Sequence, residues 1–285
     1  MSDRDDIRKQ VLQRLDGLRR AGLDRVPKPP ARIVASERPE VVESSTPPKA
    51  REPLPKPRAA TVSTPTPILA LPLSLYGEPG LSGPEIPAAE RPARLASLAE
   101  VVSTCVRCPM LAANRTQTVF GEGSATARLM FIGEAPGAEE DRTGRPFVGK
   151  AGTLLTDMIT KGMGLAREDV YIANIVKSRP PDNRNPEPAE IAHCLPYLEE
   201  QIAIIRPAYL CLLGKVAAST LLQTALPMNR LRGRWHTYRG IPTIATWHPA
   251  YLLRTPTAKK EAWDDLQMLM KRMGIKPPER GKKPE

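Results

Sequence analysis

ARLMFIGEAPGAEEDRTGRPFVGKAG, residues 127–152, joins the two signals that predict the fold of this chain. Its first seven residues are almost entirely apolar, which fits a strand buried on both faces of a parallel sheet. The glycine-rich remainder fits a loop whose backbone can approach a ligand closely, with Pro136 stiffening the turn. This strand and loop together predict an α/β fold with functional loops at the carboxyl ends of its strands.

The same alternation of strand and helix continues toward the carboxyl end of the chain. Apolar runs predict further strands at 169–176, 208–214 and 241–247, and helical spacing predicts helices at 150–163, 188–205, 215–222 and 258–273. Strands separated by helices pair in parallel, with helices covering both faces of the sheet. The fold class is therefore predicted as α/β, with a central four-stranded parallel sheet flanked by helices.

The amino-terminal third of the chain has a different composition. Half of the 32 prolines lie between Arg25 and Pro92, and aromatic residues make up only 4% of the chain. Such a segment buries too little apolar surface to offset its ordering entropy, so 25–95 is predicted to be a disordered Pro-rich linker. Residues 1–24 have helical apolar spacing and predict an amphipathic partner-binding helix, with a frayed, solvated helix as the alternative. The folded catalytic domain is predicted at 96–275, followed by a basic disordered tail at 276–285.

The net charge and the cysteine content limit the functions that the protein could have. The net charge of +11 and the isoelectric point near 9.7 favour a polyanionic partner, and nucleic acid is the default candidate. No apolar run is long enough for a membrane span, and MSDRDDIRKQ lacks the features of a signal peptide. Four cysteines, two of them in CVRC (105–108), indicate metal or redox chemistry in a cytoplasmic protein rather than disulfides.

Unusual polar residues follow three of the predicted strands. Glu134 follows the first strand, Asn174 ends the second, and His248 follows the fourth within WHPAYLLR. The phosphate-binding pattern GxxxxGK[ST] is absent, so the glycine loop is not a P-loop. Since the carboxyl ends of parallel strands share one edge of the sheet, these three residues are predicted to form one site.

Four motifs carry a resemblance to a known family: GEAPGAEED, GRPFVGKAG, YIANIVKSRPPDNRNPEP and TWHPAYLLR. In order and spacing they resemble those of the iron–sulfur uracil-DNA glycosylases, also called family four, from about Cys105 to Met273. The resemblance implies a monofunctional uracil-DNA glycosylase that flips uracil out of DNA, hydrolyses its N-glycosidic bond and starts base excision repair. Two alternatives stay open, a non-catalytic damaged-DNA binding scaffold and a nucleoside N-glycosidase.

The resemblance assigns the base-reading residues. Phe147 would stack on uracil, Asn174 would bond its O4 and N3–H edge, and His248 would donate toward O2 as uracil leaves as an anion. A core Phe, a turn Asn and a structural His are the alternatives. By resemblance, Glu134 is the active-site acid. The single-domain uracil glycosylases have an Asp at the next position, where this chain has Ala135. The alternative is therefore that Glu134 only shapes the pocket. The rest of the pocket would comprise Gly133, Ala135, Pro136 and Gly137, with Glu140 excluding the thymine methyl.

DNA contacts are expected at the rim of the site. By resemblance, Leu252 enters the duplex as a wedge and Arg254 fills the gap or grips phosphate. Arg179 and Arg184 would hold the DNA backbone. Further basic candidates are Arg232, Arg234 and Lys215.

The resemblance also implies a [4Fe–4S] cluster on four cysteines. Cys105, Cys108 and Cys194 stand at three of the family positions, and Ser178 stands at the fourth. A serine oxygen is a harder and rarer iron ligand than sulfur, so Ser178 or solvent is expected at the fourth iron. Zinc is the alternative metal, and His193 is an alternative ligand. Cys211, within an apolar strand, is expected to be a small buried hydrophobe.

The expected partner is uracil-containing DNA, bound by a monomer at the bacterial nucleoid in the cytoplasm. Within the linker, the apolar island Pro67–Gly77 contains Leu73–Tyr76, which resembles the peptide with which repair proteins grip the sliding clamp. Docking of this island on its own folded domain is the alternative.

Overall fold

The structure is a computed structural model that describes residue 81 and residues 84–278. In this part of the chain six strands form one sheet, in the order β1-β3-β2-β4-β6-β5. The strands are β1 (Glu122–Gly123), β2 (Leu129–Gly133), β3 (Tyr171–Asn174), β4 (Tyr209–Leu213), β5 (Trp235–Tyr238) and β6 (Ile241–Thr246).

The central four strands, β3-β2-β4-β6, are parallel, which confirms the predicted sheet. Two antiparallel edge strands, β1 and β5, extend it beyond the four predicted strands. β1 has only two residues, and β5 (WHTY) buries only Tyr238, so neither forms the continuous apolar run that identified the other four.

Helices cover both faces of the sheet. They are α1 (Arg91–Ser103), α2 (Pro109–Asn114), α3 (Ala138–Thr143), α4 (Lys150–Asp157), α5 (Pro188–Ile205), α6 (Lys215–Leu221), α7 (Met228–Leu231), α8 (Pro249–Arg254) and α9 (Lys259–Met273). One core packs α1, α5 and α6 on one face, and a second packs α4 and α9 on the other. Among the described helices, none is long and apolar enough to cross a bilayer.

The folded unit begins earlier than predicted. Helix α1 starts at Arg91, whose guanidinium donates to the carbonyl of Ile205 at 2.8 Å, and Leu95 and Leu98 are buried beneath it. Helix α1 therefore begins within the last residues of the predicted linker, where the proline-rich composition masked the start of a packed helix. The predicted helix at 1–24, the clamp-like Leu73–Tyr76 and residues 279–285 lie outside the described residues.

A buried ion pair ties α9 to the end of β6. The fully buried carboxylate of Asp265 accepts from Arg232 Nε at 3.1 Å, from Thr246 Oγ1 at 2.7 Å and from the Gly233 amide at 2.9 Å. Arg232 is thus engaged in the fold, which contradicts its expected place on a DNA-binding rim. Since Thr246 lies two residues before His248, the same contacts position the strand end that carries the histidine.

Candidate active site

Gly133, the last residue of β2, lies beside Asn174 at the end of β3 and beside Phe147 in the glycine loop. A Cβ atom added to Gly133 would lie 2.4 Å from Asn174 Oδ1 and 2.5 Å from the Phe147 ring. Because real Cβ atoms do not approach so closely, any side chain at this position would displace both groups. Gly133 therefore allows Asn174 and Phe147 to meet.

Asn174 carries an unpaired polar atom. The residue is 2% exposed, and its Oδ1 accepts no hydrogen bond from any described residue. A buried acceptor without a partner costs about 1–3 kcal/mol, so such atoms are rare unless a ligand supplies the donor. Asn174 Oδ1 is therefore the strongest indication of a bound group with an N–H or O–H.

Phe147 is held in a strained backbone conformation. Its φ is +51°, in the left-handed region that non-glycine residues seldom adopt. A Cβ at Gly152 would lie 1.9 Å from the Phe147 carbonyl carbon, so the glycine allows α4 to pack against this turn. Arg167 donates to the Pro146 carbonyl at 2.6 Å and to Glu122 at 2.7 Å. The ring centroid lies 5.5 Å from that of His248.

His248 caps the amino end of α8 and is neutral at physiological pH. The Ala250 amide donates to His248 Nδ1 at 3.2 Å, which leaves the proton on Nε2 as a donor. Burial lowers the pKa of His248 to about 4, with a further lowering from the Arg254 charge and an opposing effect of Glu140. Gly214 makes room for the imidazole, since a Cβ there would lie 2.9 Å from His248 Cβ.

Sequence comparison agrees with this geometry. Residues 120–267 match the family model described as the uracil DNA glycosylase superfamily, which spans half of the chain and all three strand ends. The chain belongs to the uracil-DNA glycosylase superfamily.

Relatives of this chain include type-4 and type-5 uracil-DNA glycosylases. The type-4 uracil-DNA glycosylase of Thermotoga maritima is 47% identical over 161 residues, 55% of this chain and 82% of the relative. That of Archaeoglobus fulgidus is 38% identical over 194 residues, 64% of this chain and 96% of the relative. A type-5 uracil-DNA glycosylase of Pyrobaculum aerophilum is 30% identical over 179 residues, 52% of this chain and 79% of the relative. The resemblance to the family-four uracil-DNA glycosylases is confirmed.

Glu140 bonds the backbone of the glycine loop in this glycosylase-superfamily site. Its Oε1 accepts from the amides of Val148 and Gly149, both at 2.9 Å, and its Oε2 accepts from the Gly137 amide at 3.1 Å. The carboxylate thus joins the two ends of the glycine loop and is 9% exposed. These bonds give Glu140 a part in shaping the loop, and its role as a screen against the thymine methyl stays a prediction.

Glu134, Ala135, Pro136 and Gly137 form the turn that leaves β2. The carbonyl oxygens of Gly133 and Glu134 accept from the amides of Ile175 and Val176, so this turn stays joined to the strand end of Asn174. The Glu134 side chain is partly buried, and desolvation raises its pKa above the usual range. A carboxylate with reduced hydration interacts more strongly with a nearby positive charge than one in water.

Leu252, the predicted DNA wedge, is buried in this structure, and its neighbour Leu253 is exposed. Leu252 is 1% exposed and packs with Ala258 and Ala262, whereas Leu253 is 43% exposed. Neighbouring helical residues face about 100° apart, and the packing of Leu252 on Ala258 and Ala262 leaves Leu253 facing outward. Leu253 and the exposed Arg254 therefore form the apolar and basic surface of α8.

The two predicted backbone-binding arginines also differ from one another. Arg184 forms a bidentate ion pair with the buried carboxylate of Glu190. Its Nη2 donates to Oε1 at 2.6 Å and its Nη1 donates to Oε2 at 2.8 Å, and this pair stabilises the start of α5. Its contact with the DNA backbone stays a prediction. Arg179 makes a neutral hydrogen bond to Asn183 Oδ1 at 2.9 Å and keeps its charge uncompensated there.

The thiol-bearing residues converge on a second site. Cys105, Cys108, Cys194 and Ser178 line one small cavity, together with Arg115. Burial and the neighbouring Cys194 raise the pKa of Cys108 to about 11, and burial also raises the pKa of Cys194. Among the described residues, no three His, Cys, Asp or Glu side chains form a ready metal-ligand set.

The donor chemistry of this cavity nevertheless suits an iron–sulfur cluster. Three neighbouring thiols, one buried and two half-buried, would repel one another as thiolates, and a cationic metal core would relieve that repulsion. Cys108 Sγ also lies 3.4 Å from His193 Nδ1. Cys211 is fully buried in β4 and packs in the opposite core, as expected for a small buried hydrophobe.

Lys177 is a functional candidate that sequence patterns did not reveal. Its side chain is 1% exposed, and Nζ donates to the Asn174 carbonyl at 2.9 Å and to Gln201 Oε1 at 2.6 Å. Burial lowers its pKa to about 7. Its neighbour Ser178 lines the thiol cavity, so this short segment joins the two sites. A lysine next to a strand end is ordinarily solvated, and nothing in its sequence setting indicated burial.

Proposed function

We propose that this chain is a monofunctional uracil-DNA glycosylase that extrudes uracil from DNA and hydrolyses its N-glycosidic bond, the first step of base excision repair. The observation that carries the proposal is the buried, unpaired Asn174 Oδ1 beside Phe147 and His248. A base must leave the stack to reach such an enclosed group. The curated relatives are named for this same activity.

The Asn174 amide matches the hydrogen-bonding edge of uracil. Uracil N3–H would donate to Oδ1, and the Asn174 amide N–H would donate to O4. Cytosine presents an acceptor at N3 and a donor at its exocyclic amine, so both contacts would become repulsive. Phe147, held in place by its strained turn, would stack on the base, a contact that contributes about 1–3 kcal/mol.

His248 would stabilise the departing base. As the glycosidic bond breaks, negative charge grows on uracil O2, and a preorganised donor at that atom lowers the barrier. The Nε2–H of neutral His248 is such a donor, since Nδ1 already accepts from the Ala250 amide. Glu134, at the turn after β2, would place negative charge against the cationic sugar.

DNA would be held by the outer face of α8 and by Arg179. Leu253 would fill the space that the extruded base leaves, and Arg254 would contact phosphate. The polyanionic substrate accounts for the net charge of +11. Action on chromosomal DNA would place the protein at the nucleoid, and Leu73–Tyr76 would be its contact with the sliding clamp.

Cys105, Cys108 and Cys194 would hold an iron–sulfur cluster. When bound, the cluster would supply structural cross-linking rather than chemistry on the base, because it would join the segment between α1 and α2 to α5. That cross-link would steady Ser178 and Lys177, and through Lys177 the carbonyl of Asn174. It would thus support the strand end that reads the base.

The activity is tested with single-turnover excision on oligonucleotides carrying one uracil, in duplex and single-stranded form. Free deoxyuridine and a cytosine-containing duplex are the controls, and neither should react. Asn174→Ala should lose excision with an unchanged melting temperature, since it removes an unpaired group. Cleavage of deoxyuridine alone would indicate a nucleoside N-glycosidase, and binding without excision would indicate a scaffold.

Monofunctional chemistry is tested on the same substrates. A lyase needs an amine that forms a Schiff base with the sugar, and the glycine loop has no lysine before Lys150. Lys177 is buried with its Nζ engaged by Asn174 and Gln201. Borohydride should therefore trap no protein on uracil DNA, and efficient trapping would contradict the proposal.

A further inference from the structure

The fourth corner of the thiol cavity contains an arginine–serine pair. Arg115 Nη1 donates to Ser178 Oγ at 3.1 Å, and Arg115 Nη2 reaches the Ser103 carbonyl at 3.5 Å. Ser178 is 4% exposed, so its hydroxyl faces the protein interior. The guanidinium thus takes the hydroxyl oxygen as its acceptor.

This contact determines what Ser178 can offer a metal. A serine oxygen ligates iron well only as an alkoxide with a free lone pair, whereas a thiolate forms at much lower pH. Here Ser178 Oγ already accepts from a cation on one side. The pair also places a fixed positive charge where the fourth negative ligand would stand, which partly balances the three thiolates.

Three other donors at or near the cavity already have partners. His193 Nδ1 lies 3.4 Å from Cys108 Sγ, so it adjoins an existing thiol rather than the Ser178 corner. Tyr197 bonds Cys105, and the Lys177 backbone bonds Cys194. Among the described residues that line the cavity, no further Cys, His, Asp or Glu is present that could serve as the fourth ligand.

We propose that the Arg115–Ser178 pair replaces the fourth ligand, so that the iron at this corner is bound by solvent and is exchangeable. The inference rests on the proposed cluster. A one-electron oxidant such as ferricyanide would convert [4Fe–4S]²⁺ into [3Fe–4S]⁺, with release of Fe²⁺ and transfer of one electron to the oxidant. The three thiolates of Cys105, Cys108 and Cys194 would retain the three-iron form.

The test compares wild-type full chain with Ser178→Cys, Ser178→Ala and Cys211→Ala, all purified anaerobically. Iron and acid-labile sulfide are measured before and after one equivalent of ferricyanide, and electron paramagnetic resonance detects the oxidised three-iron cluster. Wild type should fall from about four to about three iron atoms per chain with sulfide unchanged, and should gain the three-iron signal. Ser178→Cys should keep all its iron and give no signal.

The two remaining variants distinguish a residue that binds the metal from one that does not. Ser178→Ala should behave as wild type, because Ser178 is not a ligand, and Cys211→Ala should do so because Cys211 lies in the opposite core. Loss of the cluster in Ser178→Ala, or a wild type that keeps all its iron under oxidant, would overturn the assignment. Iron-free protein in every variant would overturn both the cluster and this inference. Uracil excision, measured on the same samples, reports separately on the glycosylase proposal.

Discussion

Glu140→Gln should slow uracil excision by about 10- to 100-fold, because the carboxylate joins the two ends of the glycine loop. Glutamine has one acceptor oxygen, which can keep the bonds from Val148 and Gly149, but its amide N–H₂ then faces the Gly137 amide. One charge-assisted hydrogen bond is lost, at a cost of about 1.5–3 kcal/mol. Since about 1.4 kcal/mol corresponds to a tenfold rate change, loosening of the pocket loop gives the stated range.

The assay is single-turnover excision from a uracil duplex, with Glu139→Gln as the matched control. Glu139 is its exposed neighbour and pairs only with Arg142 across the helix surface, so its variant should stay within about twofold of wild type. The same proteins are tested on a thymine-containing duplex. A Glu140→Gln enzyme that excises uracil normally and gains thymine excision would refute the reasoning and restore Glu140 as the screen against the methyl group.

Three further predictions concern the histidine, the DNA-facing helix and the boundary of the domain. His248→Ala should lower the single-turnover rate by about 10²–10³ while binding to abasic DNA stays near wild type, as gel-shift titration would measure. Because the pKa of His248 is lowered to about 4, the imidazole stays neutral from pH 5 to 8. A change in the excision rate near pH 6.5 that disappears in His248→Ala would contradict this assignment. Leu253→Ala should weaken excision from duplex more than from single-stranded DNA without changing the melting temperature. Leu252→Ala should lower the melting temperature by at least about 4 °C, as expected for a buried leucine. The opposite pattern would make Leu252 the wedge. Removal of residues 1–80 should leave the melting temperature and excision on short oligonucleotides unchanged. Removal of residues 1–95 should lower both, because it deletes Arg91 and its bond to Ile205. Equal stability of the two truncated proteins would show that the start of α1 contributes nothing to stability.

The histidine also contributes to the pH dependence of stability. Its pKa in the folded state lies below the ordinary value of 6.5, so the unfolded chain binds more protons between pH 6.5 and pH 4. The contribution of neutral His248 is complete above about pH 6.5 and declines as the pH falls toward 4. Chemical denaturation at several pH values, with His248→Ala for comparison, measures this part of the acid sensitivity.

The parallel sheet and the meeting of its strand ends were predictable because both follow from local patterns. Buried parallel strands form continuous apolar runs, as LMFIG does in β2, and parallel pairing then brings Gly133, Asn174 and His248 to one edge. The edge strand β1 was not predictable, since two residues with no apolar pattern pair only because Tyr171 and Ile172 are beside them.

The partners of individual side chains were harder to predict. Glu140 and Arg184 are charged residues in loop motifs that suggest ligand contacts, yet each bonds groups of the protein itself. Those partners depend on how the loops fold back, which sequence spacing does not encode. The choice between Leu252 and Leu253 turned on a single step of helix rotation, set by the packing of α8 on Ala258 and Ala262.

The contacts of Asp265 have a consequence for how the enzyme matures during synthesis. A chain leaves the ribosome amino end first, so β6 and His248 emerge before α9. Until residue 265 is free to fold back, the Thr246 hydroxyl and the Gly233 amide lack their carboxylate, and the strand end beneath His248 lacks its support. A nascent chain therefore carries Phe147, Asn174 and His248 before Asp265 can support the end of β6, and excision activity should appear only once translation has passed α9.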